Sequence, residues 1–250
     1  MLCEYYINSQ QAIHLERWTD ANTACCSMYN LDRNLSILQR TSLNIARGNR
    51  KFAQELLQEL LTDSADEDEL DSLTKVRAMI LLTQTLMNTH EIAPETLTIL
   101  NRAAIIAKEK HLEYEHSLIE MNLAYVLLKM NMPQQALKLT KNNLENVLSN
   151  GGIYDKAKIQ FLFVQCLVMA CEDTQAKLEH LQQSQEMINS AVQYFVKLEC
   201  HSKVKSVYGY LAKLYHQLNM PTERNNYALK FRLVAEEFTN NSNDNIHIFH

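Results

Sequence analysis

From Ala176 to Leu198 the apolar positions lie on two adjoining stripes, Leu178, Leu181, Ile188, Val192 and Phe195 on one and Met187, Ala191, Tyr194 and Leu198 on the other. That spacing predicts one long helix packed on two sides. A second amphipathic pattern runs from roughly Gln10 to Met28 and predicts a single helix there. The longest apolar run, Phe161 to Cys171 with Gln165 inside it, is too short to cross a bilayer.

Two stretches repeat the same pattern of helix end and turn: Leu123-Ala-Tyr-Val-Leu-Leu-Lys-Met-Asn-Met-Pro133 and Leu211-Ala-Lys-Leu-Tyr-His-Gln-Leu-Asn-Met-Pro221. Asn131 and Asn219 suit the left-handed conformation that ends a helix, and Pro133 and Pro221 suit the first position of the next one. Further corners are expected at Arg47-Gly48-Asn49, at His90 to Pro94 and at Glu172-Asp173. The corners recur about every 41 to 47 residues, the mark of stacked helix pairs.

Around these corners the residues resemble the tetratricopeptide repeat, in which small residues on both helices permit close approach. Ala124 and Ala136 fill both places, with Asn131 at the turn between them, and Ala53 follows Gly48 in the same way. A third copy keeps Ala212, has Arg224 where alanine is expected, and recovers with Ala228. The period exceeds the ~34 residues usual for that repeat and overlaps that of HEAT and armadillo arrays; longer helices are the preferred explanation. The expected fold is all-α, a right-handed solenoid of antiparallel helix pairs. Residues 1–31 are expected to hold one helix, the second half of an incomplete leading repeat, so that the chain continues a longer protein or is a shortened product. Residues 32–238 form the repeats, and the asparagine-rich 239–250 a flexible tail.

Composition agrees with helix. The chain has 4 glycines and 3 prolines in 250 residues, too few for the turns of a multi-stranded sheet. The formal net charge of -5 resides largely in one segment holding Asp63, Asp66, Glu67, Asp68, Glu69 and Asp71. No basic stripe alternates with aromatics, so nucleic acid is not an expected partner, and neither is a membrane. Six cysteines without a Cys-x-x-Cys read as small buried hydrophobes in a reducing compartment. The start Met-Leu-Cys-Glu-Tyr-Tyr has no signal-peptide pattern.

Chemistry-bearing constellations are weak. The acidic segment lacks EF-hand spacing and reads as a solvated loop. His111 and His116, with Glu113 and Glu115 nearby, lie five apart, about 140° around a helix, and share no ligand sphere easily. His90-Glu91 lacks a second histidine, because Pro94 stands in its place. Cys25-Cys26, Cys166 and Cys171 have neither a neighbouring histidine nor a glycine-rich oxyanion turn. No catalytic residue, metal or cofactor is expected.

The repeat alignment then proposes a partner-contact groove. It runs along Leu35, Leu38, Ser42 and Ile45, then Leu118, Met121, Tyr125 and Leu128, then Ser206, Gly209, Lys213 and His216. Ordinary packing between neighbouring helices is an equally weighted reading of the two apolar sets.

Tyr194-Phe-Val-Lys-Leu-Glu-Cys200, Leu211-Ala-Lys-Leu-Tyr-His-Gln-Leu218, Glu223-Arg-Asn225 and Phe231-Arg232 resemble the end of the subunit 5 family of the anaphase-promoting complex, the cyclosome. The resemblance implies a non-catalytic scaffold subunit of a cell-cycle ubiquitin ligase that drives mitotic exit. It also implies contacts with the largest platform subunit and with subunit 4, and residence in nucleus and cytoplasm. Members of the family carry a further helical domain ahead of the repeats. A generic tetratricopeptide adaptor or co-chaperone is the alternative. Asn122 would suit its peptide clamp, but Met121, Tyr125, Leu38 and Ser42 stand where cationic and amide groups are needed.

Overall fold

The computed structural model describes residues 1–15, 17–62, 70–87 and 94–238. Those residues form thirteen helices and no strand. They are α1 (Leu2–His14), α2 (Trp18–Tyr29), α3 (Arg33–Ala46), α4 (Arg50–Thr62), α5 (Ser72–Leu86), α6 (Pro94–Glu109), α7 (Glu113–Lys129), α8 (Pro133–Asn150), α9 (Ile153–Met169), α10 (Thr174–Gln183), α11 (Gln185–Lys197), α12 (His201–Gln217) and α13 (Pro221–Glu237).

Recurrent end chemistry explains where these helices stop. Gly48, His111, Asn131, Glu199 and Asn219 all have positive φ, between 55° and 82°. In each case the next residue donates its N–H to the carbonyl five residues back: Asn49 to Asn44, Leu112 to Ala107, Met132 to Leu127, Cys200 to Phe195 and Met220 to Tyr215, at 2.8–2.9 Å. This is the Schellman closure, which satisfies carbonyls that a helix end otherwise leaves open. Asparagine at 131 and 219 with proline at 133 and 221 therefore behaves as expected. Three helix starts are fixed by aspartates: Asp32, Asp71 and Asp173 accept N–H bonds from Leu35, Thr74 and Ala176 at 2.8–3.0 Å. Each such cap stabilises its helix by about 1 kcal/mol.

The contacts define two compact units, Met1–Val126 and the residues from Leu127 on, with the boundary inside α7. In the first unit the helices from α1 to α6 pack each on the next, and α1 also touches α3, which touches α5. Alternate helices meet in this way when hairpins stack. Small residues allow the close approaches, since Ala12, Ala21, Ala53, Ala78, Ala103 and Ala124 are all fully buried or nearly so. Around them one cluster gathers Ala12, Ile13, Ala21 and Leu43 with Trp18, and another gathers Ile37, Leu38, Leu57, Leu60, Leu70 and Ala78. Arg77 on α5 also pairs with the buried Glu115 of α7 at 3.0 Å.

In the second unit α9 is the central element. It packs on α8, α10 and α11, and its Phe161 meets Tyr210 of α12 edge-on with centroids 5.4 Å apart. Burial on several sides explains why Phe161 to Cys171 reads as an almost unbroken apolar run. Ala136 is fully buried on α8. The antiparallel pair α12–α13 closes with His201 stacked on Phe238 at 3.4 Å.

Two expected helices are corrected. The pattern over roughly 10 to 28 is not one helix but the ends of two: α1 closes at His14 and α2 opens at Trp18. Each buries one face against the other, so the apolar period carries across the turn. A full helix pair therefore precedes α3, in place of the lone half-repeat expected over residues 1–31. The predicted helix 176–198 is likewise two, divided at Ser184, where φ is -89° and ψ 3°. The Ser184 N–H still reaches the His180 carbonyl and its own carbonyl still accepts from Ile188, both at 3.0 Å. The backbone therefore bends there with little loss of hydrogen bonding, and Leu181, Ile188, Ala191 and Phe195 remain buried. The corner predicted at His90 to Pro94, apart from Pro94 itself, lies outside the described residues, as do most of the acidic segment and the tail 239–250.

Candidate interaction surface

Along α3 the proposed groove positions are mostly interior. Leu38 and Ile45 are buried, Leu35 is half-buried, and half-buried Ser42 donates its hydroxyl to the Leu38 carbonyl at 3.1 Å. Along α7, Met121, Tyr125 and Leu128 are buried and Leu118 half-buried. Burial pushes the Tyr125 phenol up to about 12, against the opposing effect of the nearby Arg50 guanidinium. That guanidinium donates to the Met87 carbonyl at 2.9 Å, so Arg50 ties the start of α4 to the end of α5. These apolar positions work as packing between helices.

The α12 set behaves differently. Ser206 is buried and donates to the Ser202 carbonyl at 2.8 Å. Gly209 does not line an open groove: a Cβ built there would come within 3.2 Å of two Phe231 ring atoms, so its missing side chain lets α13 approach. Lys213 and His216 are exposed. Of the positions proposed from sequence, these two polar side chains reach solvent most fully.

Asn122, the candidate clamp residue, is 2% exposed, and its amide nitrogen donates to the Leu118 carbonyl of its own helix at 2.7 Å. Its amide oxygen has no partner among the described residues, and neither do those of Gln160 and Gln165 on α9. A side chain so enclosed offers nothing to a peptide at the surface.

Three features escaped the sequence reading. Leu229 and Leu233, one turn apart on α13, are 48% and 53% exposed. Beside them Lys230 lies over the rings of Tyr208 and Tyr227, 5.8 and 5.1 Å from their centroids. The third is a shallow cleft of about 340 Å³ between α1 and α2, lined by Tyr5, Asn8, Gln11, Asp20, Thr23 and Ser27 among others. The four-residue spacing of the two leucines was the one available signal. The cysteines give no site: Cys25, Cys166 and Cys200 are buried, Cys171 half-buried, Cys3 and Cys26 exposed, and none of the six is in a disulfide.

Residues 41–243, from the middle of α3 into the tail, match the family described as the suppressor of spindle checkpoint defect 1 C-terminal domain. The chain belongs to this family. Relatives matched over 239 residues, 95% of the chain, are each named anaphase-promoting complex subunit 5. The Homo sapiens and Rattus norvegicus proteins are 29% identical to it and the Gallus gallus protein 26%. The chain spans about a third of the length of these relatives, 31–32%. The resemblance to the subunit 5 family carried by Tyr194 to Arg232 thus extends along almost all of the sequence.

Proposed function

We propose that the chain is a scaffold element of the anaphase-promoting complex, holding neighbouring subunits of that ubiquitin ligase through the surfaces of its helix pairs while catalysis proceeds on other chains. The observation that carries this reading is the match of 95% of the chain to proteins named as subunit 5 of that complex. The structure is consistent with it: the buried side chains are spent on packing helix against helix, which leaves the outer faces as the working surface. A right-handed solenoid of the whole repeat region is part of the proposal, as are the largest platform subunit and subunit 4 as neighbours and a location in nucleus and cytoplasm. Tandem affinity purification of the tagged chain from dividing cells tests it. Other subunits of the ligase are expected in near-stoichiometric amount; a chain recovered alone in mild salt overturns the assignment.

A further inference from the structure

Helix α13 meets α12 along one side. Gly209 admits the Phe231 ring, Tyr227 stacks on Tyr215 with centroids 5.5 Å apart, and Phe238, just past the helix end, stacks on His201. Leu229 and Leu233 each lie two residues from Phe231, about 200° around the helix, and so face away from α12. At 48% and 53% exposed, they occupy the centre of a side that a solvent-facing helix ordinarily fills with polar residues.

Charges surround the two leucines in a definite order. Lys230 stands three residues before Leu233 and Arg232 three after Leu229, so an exposed cation flanks the pair on each side. Lys230 lies over the Tyr208 and Tyr227 rings, which carry no net charge and leave its ammonium positive. The Arg232 side chain has no hydrogen-bond or ion-pair partner among the described residues. One turn beyond Leu233, exposed Glu236 shares the face and makes that end of it negative.

Leucines four apart on a helix form a ridge of the kind that another helix takes between its own side chains. The cations on either flank select carboxylates beside the apolar stripe of that helix. We infer that the outer face of α13, centred on Leu229, Leu233 and Arg232, is a docking surface for an amphipathic helix of a partner protein with acidic flanks. Its apolar residues straddle the leucine ridge, its Glu or Asp side chains meet Arg232 and Lys230, and a Lys or Arg one turn beyond meets Glu236. A nucleic-acid backbone needs an unbroken basic track, which Glu236 interrupts. The inference rests on the scaffold reading and deepens it by giving the chemistry of one partner segment.

Fluorescence anisotropy on the full chain tests the surface directly. The probes are a labelled helical peptide of about eighteen residues, with a leucine stripe, Glu on both flanks and Lys at one end, and a counterpart in which Glu and Lys are exchanged. Only the acidic-flanked peptide is expected to bind. Leu229→Ser with Leu233→Ser, or Arg232→Glu alone, is expected to weaken it at least about tenfold, and Ile105→Ser, at an exposed isoleucine of α6, by less than about twofold. Arg232→Glu is also expected to gain affinity for the charge-exchanged peptide, a reversal that misfolding does not produce. Absence of binding, equal binding of both peptides, or wild-type affinity in the double leucine variant overturns the inference. So does light scattering that shows a dimer dissolved by the leucine substitutions, since the face then belongs to a second copy, and so does binding that appears only once residues 239–250 are removed. Purification from cells separates the two readings: if the wild-type chain and the folded double leucine variant recover ligase subunits equally, the scaffold reading stands and this face is not the contact. If even the wild-type chain recovers none, the scaffold reading fails whatever the peptide does.

Discussion

Glu199 and His111 occupy the left-handed conformation without the glycine or asparagine that usually marks it, and both side chains are exposed. The backbone strain there is of order 1 kcal/mol per residue, and it persists because the Schellman bonds of Cys200 and Leu112 depend on it. Replacing Glu199 with glycine removes the Cβ clash at the cost of a more flexible unfolded chain, so a net gain of about 0.5 kcal/mol is expected. Urea titration of the two proteins checks this; a Glu199→Gly chain no more stable than wild type would show that the strain is absorbed elsewhere. The same chemistry explains which corners were readable. Asn131, Asn219 and Gly48 announce a positive φ in the sequence, whereas His111 and Glu199 adopt it only because the next helix must pack back, a tertiary demand with no local signature.

At the level of the helix, the apolar period identified which faces are buried far better than where one helix stops and the next begins. Ala12, Ala21 and Ala24 keep an amphipathic register through the α1–α2 turn, and Leu181 and Ile188 do so across Ser184. Periodicity reports the buried face and is silent about a bend that leaves that face buried. It is equally silent about what lies opposite, which is why Leu38, Met121 and Tyr125 could be read as groove or core until their neighbours were placed. Contacts between alternate helices were not legible at all, and Arg77 with Glu115 is the clearest. Glu115 is 8% exposed and depends on that guanidinium, but Arg77's side chain is 44% exposed and water screens part of the attraction. Arg77→Leu is therefore expected to cost about 1–2 kcal/mol, less than for a fully enclosed pair. Adding Glu115→Leu should recover most of it, and a double-mutant cycle by thermal denaturation reads the coupling. Strictly additive single effects would mean that the pair contributes nothing.

Each unit of the whole molecule buries thiols and phenols that resist ionisation, and this sets its response to alkali. Burial, reinforced by Cys26, pushes the Cys25 thiol up to about 11, and burial pushes Cys166 to about 12 despite the opposing Thr140 hydrogen bond. The folded state keeps these protons while an unfolded cysteine releases its own near pH 8.5. The stability is therefore fully present below about pH 8.5 and is lost as pH rises toward the folded values, by about 1.4 kcal/mol per pH unit for each thiol. Tyr125 and Tyr215, raised to about 12 chiefly by burial, act in the same direction only above the ordinary tyrosine value near 10. Between about pH 8.5 and 10 the tyrosines are silent, and comparison with cysteine variants separates the thiols from the opposing effect of Lys158, whose pKa burial lowers. Urea unfolding across that interval should show a steep fall in stability, with Cys25→Ala and Cys166→Ala each lowering the starting stability through lost packing but flattening the slope by close to one proton. Cys3→Ala, at an exposed position, should leave the slope alone. If the buried-cysteine variants keep the wild-type slope, the thiols ionise as readily in the folded chain as in the unfolded one, and the closed packing around α9 and between α2 and α3 is looser than the structure shows.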